Sequence, residues 1–139
     1  MASRQEPVCL AKSIHHIGIA VKDLEANIAL YGEIFGTTLV KTEEIGDVRA
    51  VLLPVGGSHV EFIASTSPDS VVARFIERRG EGLHHVCFEV SGIQEKLKVL
   101  EARGIGLVDR VPRPGIAGMI AFLHPGSFNG VLVELVEVE

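Results

Sequence analysis

Two stretches of the chain, 69 positions apart, show the same alternation of apolar and polar side chains. The first spans residues 14–21 and the second spans residues 83–90. In both, isoleucine, valine or phenylalanine occupies alternate positions, at 17, 19 and 21 in the first stretch and at 86, 88 and 90 in the second. This period is typical of a half-buried β-strand. The opposite face of each stretch carries a histidine, His16 or His85, followed by a small side chain. The pattern therefore predicts two equivalent strands, each with space beside an imidazole ring.

The same series of elements is predicted after each of these strands. Asp23 is a suitable N-cap and Gly36 a suitable C-terminal residue for a helix of about three turns. In the second half, Ser91 and Gln94 form a capping-box pattern, and that helix is expected to run to Gly104. The apolar stripe of the first helix comprises Leu24, Ile28, Tyr31 and Phe35. The remaining predicted elements are strands at 37–42, 48–53 and 60–64, a helix at 71–79, strands at 106–111, 119–123 and 130–138, and a Pro/Gly loop at 112–118.

This order of elements predicts an α+β fold made of two paired βαβββ modules. A repeat near 70 residues in two copies is longer than a solenoid repeat and indicates a duplicated module with a pseudo-two-fold axis. We expect a flexible N-terminal leader at residues 1–12 and a single domain at 13–139. Within that domain we expect module one at 13–66, a connecting helix at 69–80 and module two at 82–139.

Each module also ends in a strand that contains one glutamate, Glu61 or Glu134. Taken alone, a histidine in a strand is usually a hydrogen-bonded part of the scaffold, and a strand glutamate usually faces water. The repeat favours a different interpretation, because a two-fold axis makes His16 a neighbour of His85 and Glu61 a neighbour of Glu134. Two imidazoles and two carboxylates on one concave face suit Co²⁺, Mn²⁺, Ni²⁺ or Zn²⁺. Without a ligand, four inward-facing polar groups would carry a large desolvation cost. We therefore predict a divalent metal site with positions left for substrate.

Both candidate histidines are the second member of a His-His pair. The first members, His15 and His84, lie on the apolar face of each strand, which is expected to pack toward the helices. We therefore expect His16 and His85 to be the metal ligands, and His15 and His84 to be structural or to support the ligands.

Composition excludes several classes of function. The chain of 139 residues has 47% hydrophobic residues and a net charge of −5, which is typical of a soluble globular domain and not of a nucleic-acid-binding one. No stretch approaches the roughly 20 apolar residues of a membrane helix, and residues 1–12 lack a signal-peptide core. Cys9 and Cys87 lie in unlike contexts, so we expect no disulfide between them and place the protein in the cytoplasm.

Four segments carry a resemblance to a known family. They are His16–Val21 (HIGIAV), Asp69–Phe75 (DSVVARF), Arg79–Val86 (RGEGLHHV), and the ending Ala121–Pro125 (AFLHP) with Gly130–Leu135 (GVLVEL). Together they resemble the methylmalonyl-CoA epimerases, which belong to the vicinal oxygen chelate superfamily with glyoxalase I, extradiol dioxygenases and antibiotic-resistance proteins. The resemblance spans roughly residues 14–137 and implies an open, cupped barrel, usually in a homodimer.

The resemblance also implies an activity and a set of site residues. It implies metal ligands at His16, Glu61, His85 and Glu134, with Co²⁺ as the expected ion and Mn²⁺, Ni²⁺ or Zn²⁺ as alternatives. The implied reaction interconverts (R)- and (S)-methylmalonyl-CoA by proton transfer at C2, through a metal-stabilised enolate of the acyl-CoA substrate.

Two positions depart from the family pattern. Some bacterial epimerases carry a glutamate, proposed as one proton-transfer base, where this chain has Ala50, and a lysine often found after the last His-Pro is Gly126 here. Glu134 and Glu61 then become the candidate catalytic acid–base pair. Glu43 and Glu44 are weaker candidates, since both are better explained as solvated turn residues.

Two other functions remain open at this point. A glyoxalase I-like lyase or isomerase would use the same ligand set on another small carbonyl substrate. A ligand-sequestering resistance protein needs no metal, and the complete His/Glu/His/Glu set counts against it. An extradiol dioxygenase is disfavoured, because its site uses two histidines and one carboxylate.

Overall fold

The computed structural model describes residues 6–139, and the predicted pair of βαβββ modules is confirmed. Module one contains one helix and four strands: β1 (Ser13–Ala20), α1 (Leu24–Phe35), β2 (Lys41–Ile45), β3 (Val48–Val55) and β4 (Ser58–Ser65). Helix α2 (Val71–Arg79) connects the modules. Module two contains β5 (Gly82–Glu89), α3 (Ile93–Ala102), β6 (Arg113–Pro114), β7 (Gly118–Leu123) and β8 (Val133–Val138).

All eight strands form one sheet, in the order β2-β3-β4-β1-β5-β8-β7-β6. The first strands of the two modules, β1 and β5, pair antiparallel at the centre of the sheet. Within each module the first strand pairs in parallel with the last, β1 with β4 and β5 with β8. The sheet order is therefore symmetric about the β1–β5 pair, which is the arrangement expected of a duplicated module.

Apolar residues on one face of the sheet hold helices α1 and α3. Helix α1 packs through Leu24, Ile28 and Tyr31 against Phe62 and its neighbours, and α3 packs through Leu97 and Leu100. The other face carries Ala50 and Ile63 under helix α2 and Ile116. Burying one large aliphatic or aromatic side chain contributes about 1.5–3 kcal/mol, so these clusters stabilise the packing of the helices on the sheet.

Several details differ from the sequence-based expectations. Residues 106–111 do not form a strand. Within this segment, Leu107 makes one isolated β-bridge, to Leu123. The predicted loop at 112–118 instead contains β6 and the start of β7, and the last strand begins at Val133. Strand β2 begins at Lys41, later than the predicted start at residue 37. Phe35 is 67% exposed and does not belong to the buried stripe.

The predicted capping box at the start of α3 is also wrong. The N-cap is Gly92, which has no side chain to accept a hydrogen bond. The carboxylate of Glu137 accepts hydrogen bonds from the backbone N–H groups of Gly92 and Ile93, at 2.8 and 3.1 Å. These bonds lower the pKa of Glu137. A residue from the last strand therefore caps this helix, a contact that local sequence does not reveal.

Residues 1–5 of the predicted leader lie outside the described residues. Val8 and Cys9 pack against the cluster under α3, and the backbone N–H of Lys12 donates to the carbonyl of Glu89. Cys9 and Cys87 are free thiols. Within residues 6–139, no helix is long and apolar enough to cross a membrane.

Candidate metal centre

Strand register brings the four predicted site residues to the middle of the sheet. His85 on β5 lies opposite Gly18 on β1, and Glu61 on β4 lies beside the same glycine. Glu134 on β8 lies beside Cys87, which in turn faces His16. Because the strand order is β4-β1-β5-β8, the two histidines lie between the two carboxylates.

The ligand atoms of these four residues form one compact cluster. The Nε2 atoms of His16 and His85 are 3.1 Å apart. Oε1 of Glu134 lies 2.9 Å from His16 Nε2 and 3.1 Å from His85 Nε2, and Oε1 of Glu61 lies 3.5 and 3.1 Å from the same two atoms. All four atoms lie within 4.8 Å of one another, and all four residues are buried.

A glycine makes this convergence possible. A Cβ atom at Gly18 would lie 2.0 Å from Cε1 of His85, far closer than any real Cβ contact. The imidazole of His85 therefore occupies the space that any other side chain at position 18 would need. On its other side, the ring packs edge-on against Phe122, with ring centroids 5.5 Å apart.

Two irregularities in the β1–β5 ladder account for the doubled histidines. The register shifts between Ile14 and His16, and again between Gly18 and Ile19, so His15 and His84 have no partner across the ladder. Such β-bulges re-aim side chains. The strict alternation assumed for His15 and His84 therefore fails. His15 Nδ1 lies 2.7 Å from His16 Nδ1, and His84 Nδ1 lies 2.9 Å from His85 Nδ1.

These contacts couple the tautomer of each candidate ligand histidine to that of the histidine before it. If Nδ1–H of His16 and His85 donates to the preceding histidine, Nε2 presents a lone pair to the cluster. Burial, followed by the neighbouring His85, lowers the pKa of His84 to about 4. Burial and the neighbouring His16 and His59 also lower the pKa of His15. Both supporting rings are thus neutral at pH 7 and able to accept that hydrogen bond.

The electrostatics of the cluster favour a cation among the carboxylates. Burial by itself would lower the pKa of His85, but Glu134 and Glu61 raise it to about 10. Burial would raise the pKa of Glu134, but His16 and His85 hold it below its usual range. The metal-free cluster therefore retains a proton, whose charge a bound cation would replace.

The donor set fits a divalent transition metal. Two ligand atoms about 2.1 Å from an ion and at right angles to each other lie about 3 Å apart, close to the separations observed here. Glu134 Oε1 is buried and accepts no hydrogen bond, although Nε2 of His16 and Nε2 of His85 lie 2.9 and 3.1 Å away. Two imidazoles and two carboxylates are ligands that Co²⁺, Mn²⁺, Ni²⁺ and Zn²⁺ accept.

Comparison with known proteins identifies the family of this fold and site. Residues 15–122 match the family model described as glyoxalase/bleomycin resistance protein/dioxygenase superfamily. The chain is 36% identical to the uncharacterized protein YqjC of Bacillus subtilis, over 89% of this chain and 91% of that protein. It is 34% identical to the ethylmalonyl-CoA/methylmalonyl-CoA epimerase of Cereibacter sphaeroides, over 90% of this chain and 97% of that protein.

Comparison with solved structures points to the same group of relatives. A methylmalonyl-CoA epimerase in complex with methylmalonyl-CoA and NH4+ superposes with a TM-score of 0.88 at 32% identity, covering 93% of this chain and 96% of that one. The chain belongs to the methylmalonyl-CoA epimerase family. The family resemblance of the sequence motifs is thereby confirmed, and the four clustered residues lie on the central strands of an epimerase fold.

The other candidate positions of this epimerase-family chain lie outside the cluster. Ala50 is 1% exposed and packs in the apolar cluster under α2. Glu43 forms an ion pair with Lys41 at 3.8 Å, and Glu44 forms one with Arg49 at 2.6 Å. These contacts favour the solvated, structural explanation of both glutamates.

Sequence analysis missed two supporting residues. The ring of His59 stacks on His15 with centroids 4.8 Å apart, and its Nδ1 lies 3.2 Å from the carbonyl oxygen of His15. Phe75 of α2 packs edge-on against His84, with centroids 4.7 Å apart. The alternation of His59 with Glu61 on one strand was the available signal for the first. No feature of the local sequence indicated the contact of Phe75 with His84.

Proposed function

We propose that this protein is a metal-dependent epimerase that interconverts (R)- and (S)-methylmalonyl-CoA. The observation that carries the proposal is the buried cluster of His16, Glu61, His85 and Glu134 on the paired central strands. The names of its relatives support an acyl-CoA substrate, since the Cereibacter sphaeroides relative is an ethylmalonyl-CoA/methylmalonyl-CoA epimerase.

The reaction requires removal of the C2 proton and its return to the opposite face. A divalent metal held by the four residues would supply Lewis-acid stabilisation of the negative charge on the substrate oxygens. His16 and His85 present Nε2 to the cluster because their Nδ1 atoms are engaged by His15 and His84. All four residues are buried, and charge interactions are stronger in such a low-dielectric environment than in water.

The two carboxylates are the candidate proton carriers. Inversion by two bases needs one group on each side of the planar enolate. Glu61 and Glu134 are suited to these two roles, because the strand order places one carboxylate on each side of the histidine pair. Their combined role as ligand and base follows from the absence of any other carboxylate in the cluster formed by the described residues.

Three finer features complete the proposal. We assign Co²⁺ as the preferred ion, with Mn²⁺, Ni²⁺ or Zn²⁺ as alternatives, on the family resemblance and the mixed imidazole–carboxylate donor set. The family resemblance also supports a homodimer. The two free cysteines fit a reducing compartment such as the cytoplasm.

The test is proton exchange at C2. Protein loaded with Co²⁺ is incubated with methylmalonyl-CoA in deuterium oxide, and both isotope incorporation and epimer ratio are measured. Exchange accompanied by epimerisation is the expected result. The same preparation is assayed with the hemithioacetal of methylglyoxal, the substrate of the glyoxalase I-like alternative. Turnover of that substrate without exchange at C2 of methylmalonyl-CoA would refute the epimerase assignment.

A further inference from the structure

The two modules differ at one position beside their paired histidines. On β5, Cys87 stands two places after His85. The equivalent position of β1, two places after His16, is Gly18. The register of the β1–β5 pair sets Cys87 opposite His16. It sets Gly18 opposite His85. The histidine pair of module one therefore has a thiol across the ladder, whereas that of module two has no side chain there.

Because of this difference, His15, His16 and Cys87 form a further group of candidate metal ligands, which we call the thiol triad. One ring nitrogen of each histidine and Sγ of Cys87 all lie within 4.8 Å of one another. Nε2 of His16 belongs to the four-ligand cluster, so Nδ1 is the nitrogen left for the triad. That atom lies 2.7 Å from Nδ1 of His15. The triad thus shares one residue with the four-ligand cluster but uses the opposite side of its ring.

The three side chains of the thiol triad are held in the interior of the sheet. Cys87 is 0% exposed, His16 1% and His15 7%. The thiol of Cys87 makes one weak contact, in which Sγ lies 3.9 Å from the carbonyl oxygen of Phe88. A buried cysteine needs no polar partner, because it packs as a small apolar residue. Two imidazole nitrogens within reach of the thiol distinguish Cys87 from an ordinary core cysteine.

The donor set of the thiol triad favours a thiophilic metal ion with a filled d shell. Thiolate and imidazole together are ligands that Zn²⁺ and related ions prefer. An ion about 2.1 Å from two nitrogens, at angles of 90–109°, holds those nitrogens about 3.0–3.4 Å apart. The Nδ1 atoms of His15 and His16 are 2.7 Å apart, so they need to separate by less than ~1 Å to admit such an ion. Three protein ligands leave the fourth position of the ion for water.

We propose that His15, His16 and Cys87 form a second metal site, which takes a thiophilic divalent ion such as Zn²⁺ or Cd²⁺. The ion replaces the hydrogen bond between the two Nδ1 atoms. The S–H proton of Cys87 and the Nδ1 proton of His16 pass to solvent, since metal ligands must be deprotonated. The two negative charges that remain balance the two positive charges of the ion. His16 then bridges two ions through its two ring nitrogens, and this site is independent of the reaction that the protein catalyses.

The first experiment titrates the Co²⁺-loaded protein with Cd²⁺. Cd²⁺ bound to a thiolate absorbs ultraviolet light by charge transfer, and the background is low because the chain has one tyrosine and no tryptophan. The variants are Cys87→Ala and Cys87→Ser, and the control is Cys9→Ala, which removes the other free thiol. Wild-type and Cys9→Ala protein should bind about one Cd²⁺ per chain with this absorption and keep their Co²⁺.

Both Cys87 variants should lose the charge-transfer absorption. Their Cd²⁺ affinity should fall by at least roughly 100-fold, since even partners outside a ligand set change metal affinity about 10- to 100-fold. Absorption that is absent from the wild-type protein, or that survives in both Cys87 variants, would overturn the proposal. So would its loss in Cys9→Ala, or release of one Co²⁺ for each Cd²⁺ bound. Because Cys9→Ala keeps Cys87 as its single thiol, it decides the question even if neither Cys87 variant folds.

A second experiment tests the histidine ligand of the thiol triad that lies outside the four-ligand cluster. His15→Phe keeps a ring at this position but removes its nitrogens. The matched control is His59→Phe, because the ring of His59 stacks on His15 with centroids 4.8 Å apart but does not belong to the triad. His15→Phe should weaken Cd²⁺ binding as strongly as Cys87→Ala does, and His59→Phe should change it little. Equal losses in the two histidine variants would reduce the role of His15 to packing and refute the three-ligand site.

Discussion

The imidazole ring of His85 in module two fills the space that a side chain at Gly18 in module one would need. A Cβ atom on Gly18 would lie within 2.0–2.4 Å of three ring atoms of His85. The side chain missing from β1 is thus what allows the imidazole of β5 to reach the cluster. The contact joins the two modules at the point where their ligands meet.

Gly18→Ala should therefore damage the metal centre more than the fold. The added methyl group must displace the His85 ring, and we expect metal affinity to fall roughly 10- to 100-fold. Competition with a chelating dye measures the affinity. The matched control is Gly57→Ala, since nothing lies within 4 Å of a Cβ at that glycine. Equal affinities of the two variants would show that His85 does not need this space.

Metal binding should release about one proton at pH 7.5. In the metal-free cluster, burial by itself would lower the pKa of His85, but the two glutamates raise it to about 10. The ring is therefore protonated at pH 7.5. A metal ligand must be neutral, and the apparent affinity should rise about tenfold per pH unit below that pKa. Calorimetry in buffers of different ionisation enthalpy counts the protons.

The same pKa predicts how metal removal changes stability. A raised histidine pKa stabilises the metal-free fold fully below the unfolded value of about 6.5, and that contribution is lost as pH rises through about 10. The metal-loaded protein should not show this loss. Its Tm should also exceed that of the chelator-treated protein, because the ion binds the folded state selectively. Identical melting curves with and without metal would argue against a preformed four-ligand site.

Glu134→Gln tests whether Glu134 is a proton carrier as well as a ligand. An amide oxygen can still coordinate a metal but cannot take up a proton near neutral pH. Loss of one acid–base group typically costs about 10²–10⁴-fold in rate. We expect C2 exchange to stay low at saturating Co²⁺, with metal occupancy measured in parallel. Full recovery at high occupancy would limit Glu134 to metal binding and leave Glu61 as the carboxylate to examine.

Ala50→Glu should destabilise the protein and not restore a base. Ala50 is 1% exposed and lies among Ile63, Val72 and Ile116, with no polar partner in that apolar cluster. Burying a carboxylate there should cost on the order of 3 kcal/mol, equivalent to a Tm decrease of roughly 10 °C. The control is Ala29→Glu, an exposed position in helix α1. A folded Ala50→Glu variant with normal Tm and faster epimerisation would show that the cluster can open to admit the side chain.

Glu137→Gln should lower Tm by a few degrees through loss of the charged cap of α3. The wild-type carboxylate has a lowered pKa because of its hydrogen bonds to Gly92 and Ile93. A lowered pKa contributes stability above the unfolded value of about 4.3, and this is lost as pH falls through the folded pKa. The difference between the two proteins should therefore be largest at neutral pH and shrink in acid. Thermal melts from pH 3 to 7 measure it, and a difference independent of pH would exclude the charge as its cause.

Some errors of sequence-based prediction have a common physical cause, which is competition from distant residues. The side chain of Asp109 accepts a hydrogen bond from the backbone N–H of Phe122, and the backbone N–H of Val108 donates to the carbonyl of Phe122. These two bonds replace the regular strand ladder that was predicted at 106–111. Glu137 takes the helix amides that Ser91 and Gln94 were expected to cap. Neither interaction has a signature in the local pattern.

What the sequence by itself determined is the repeat: two alternating strands with a histidine, two acidic strands and the βαβββ order around them. Side-chain alternation and helix-capping preferences are local, so they can be inferred from neighbouring residues. Only the tertiary structure decided how the ligands meet. The bulges at His15 and His84 arise from pairing β1 with β5, and they bring each supporting ring within hydrogen-bond distance of its neighbour. The register of that pairing sets Gly18 against His85, because strands from different modules must share one sheet before either residue has the other as a neighbour.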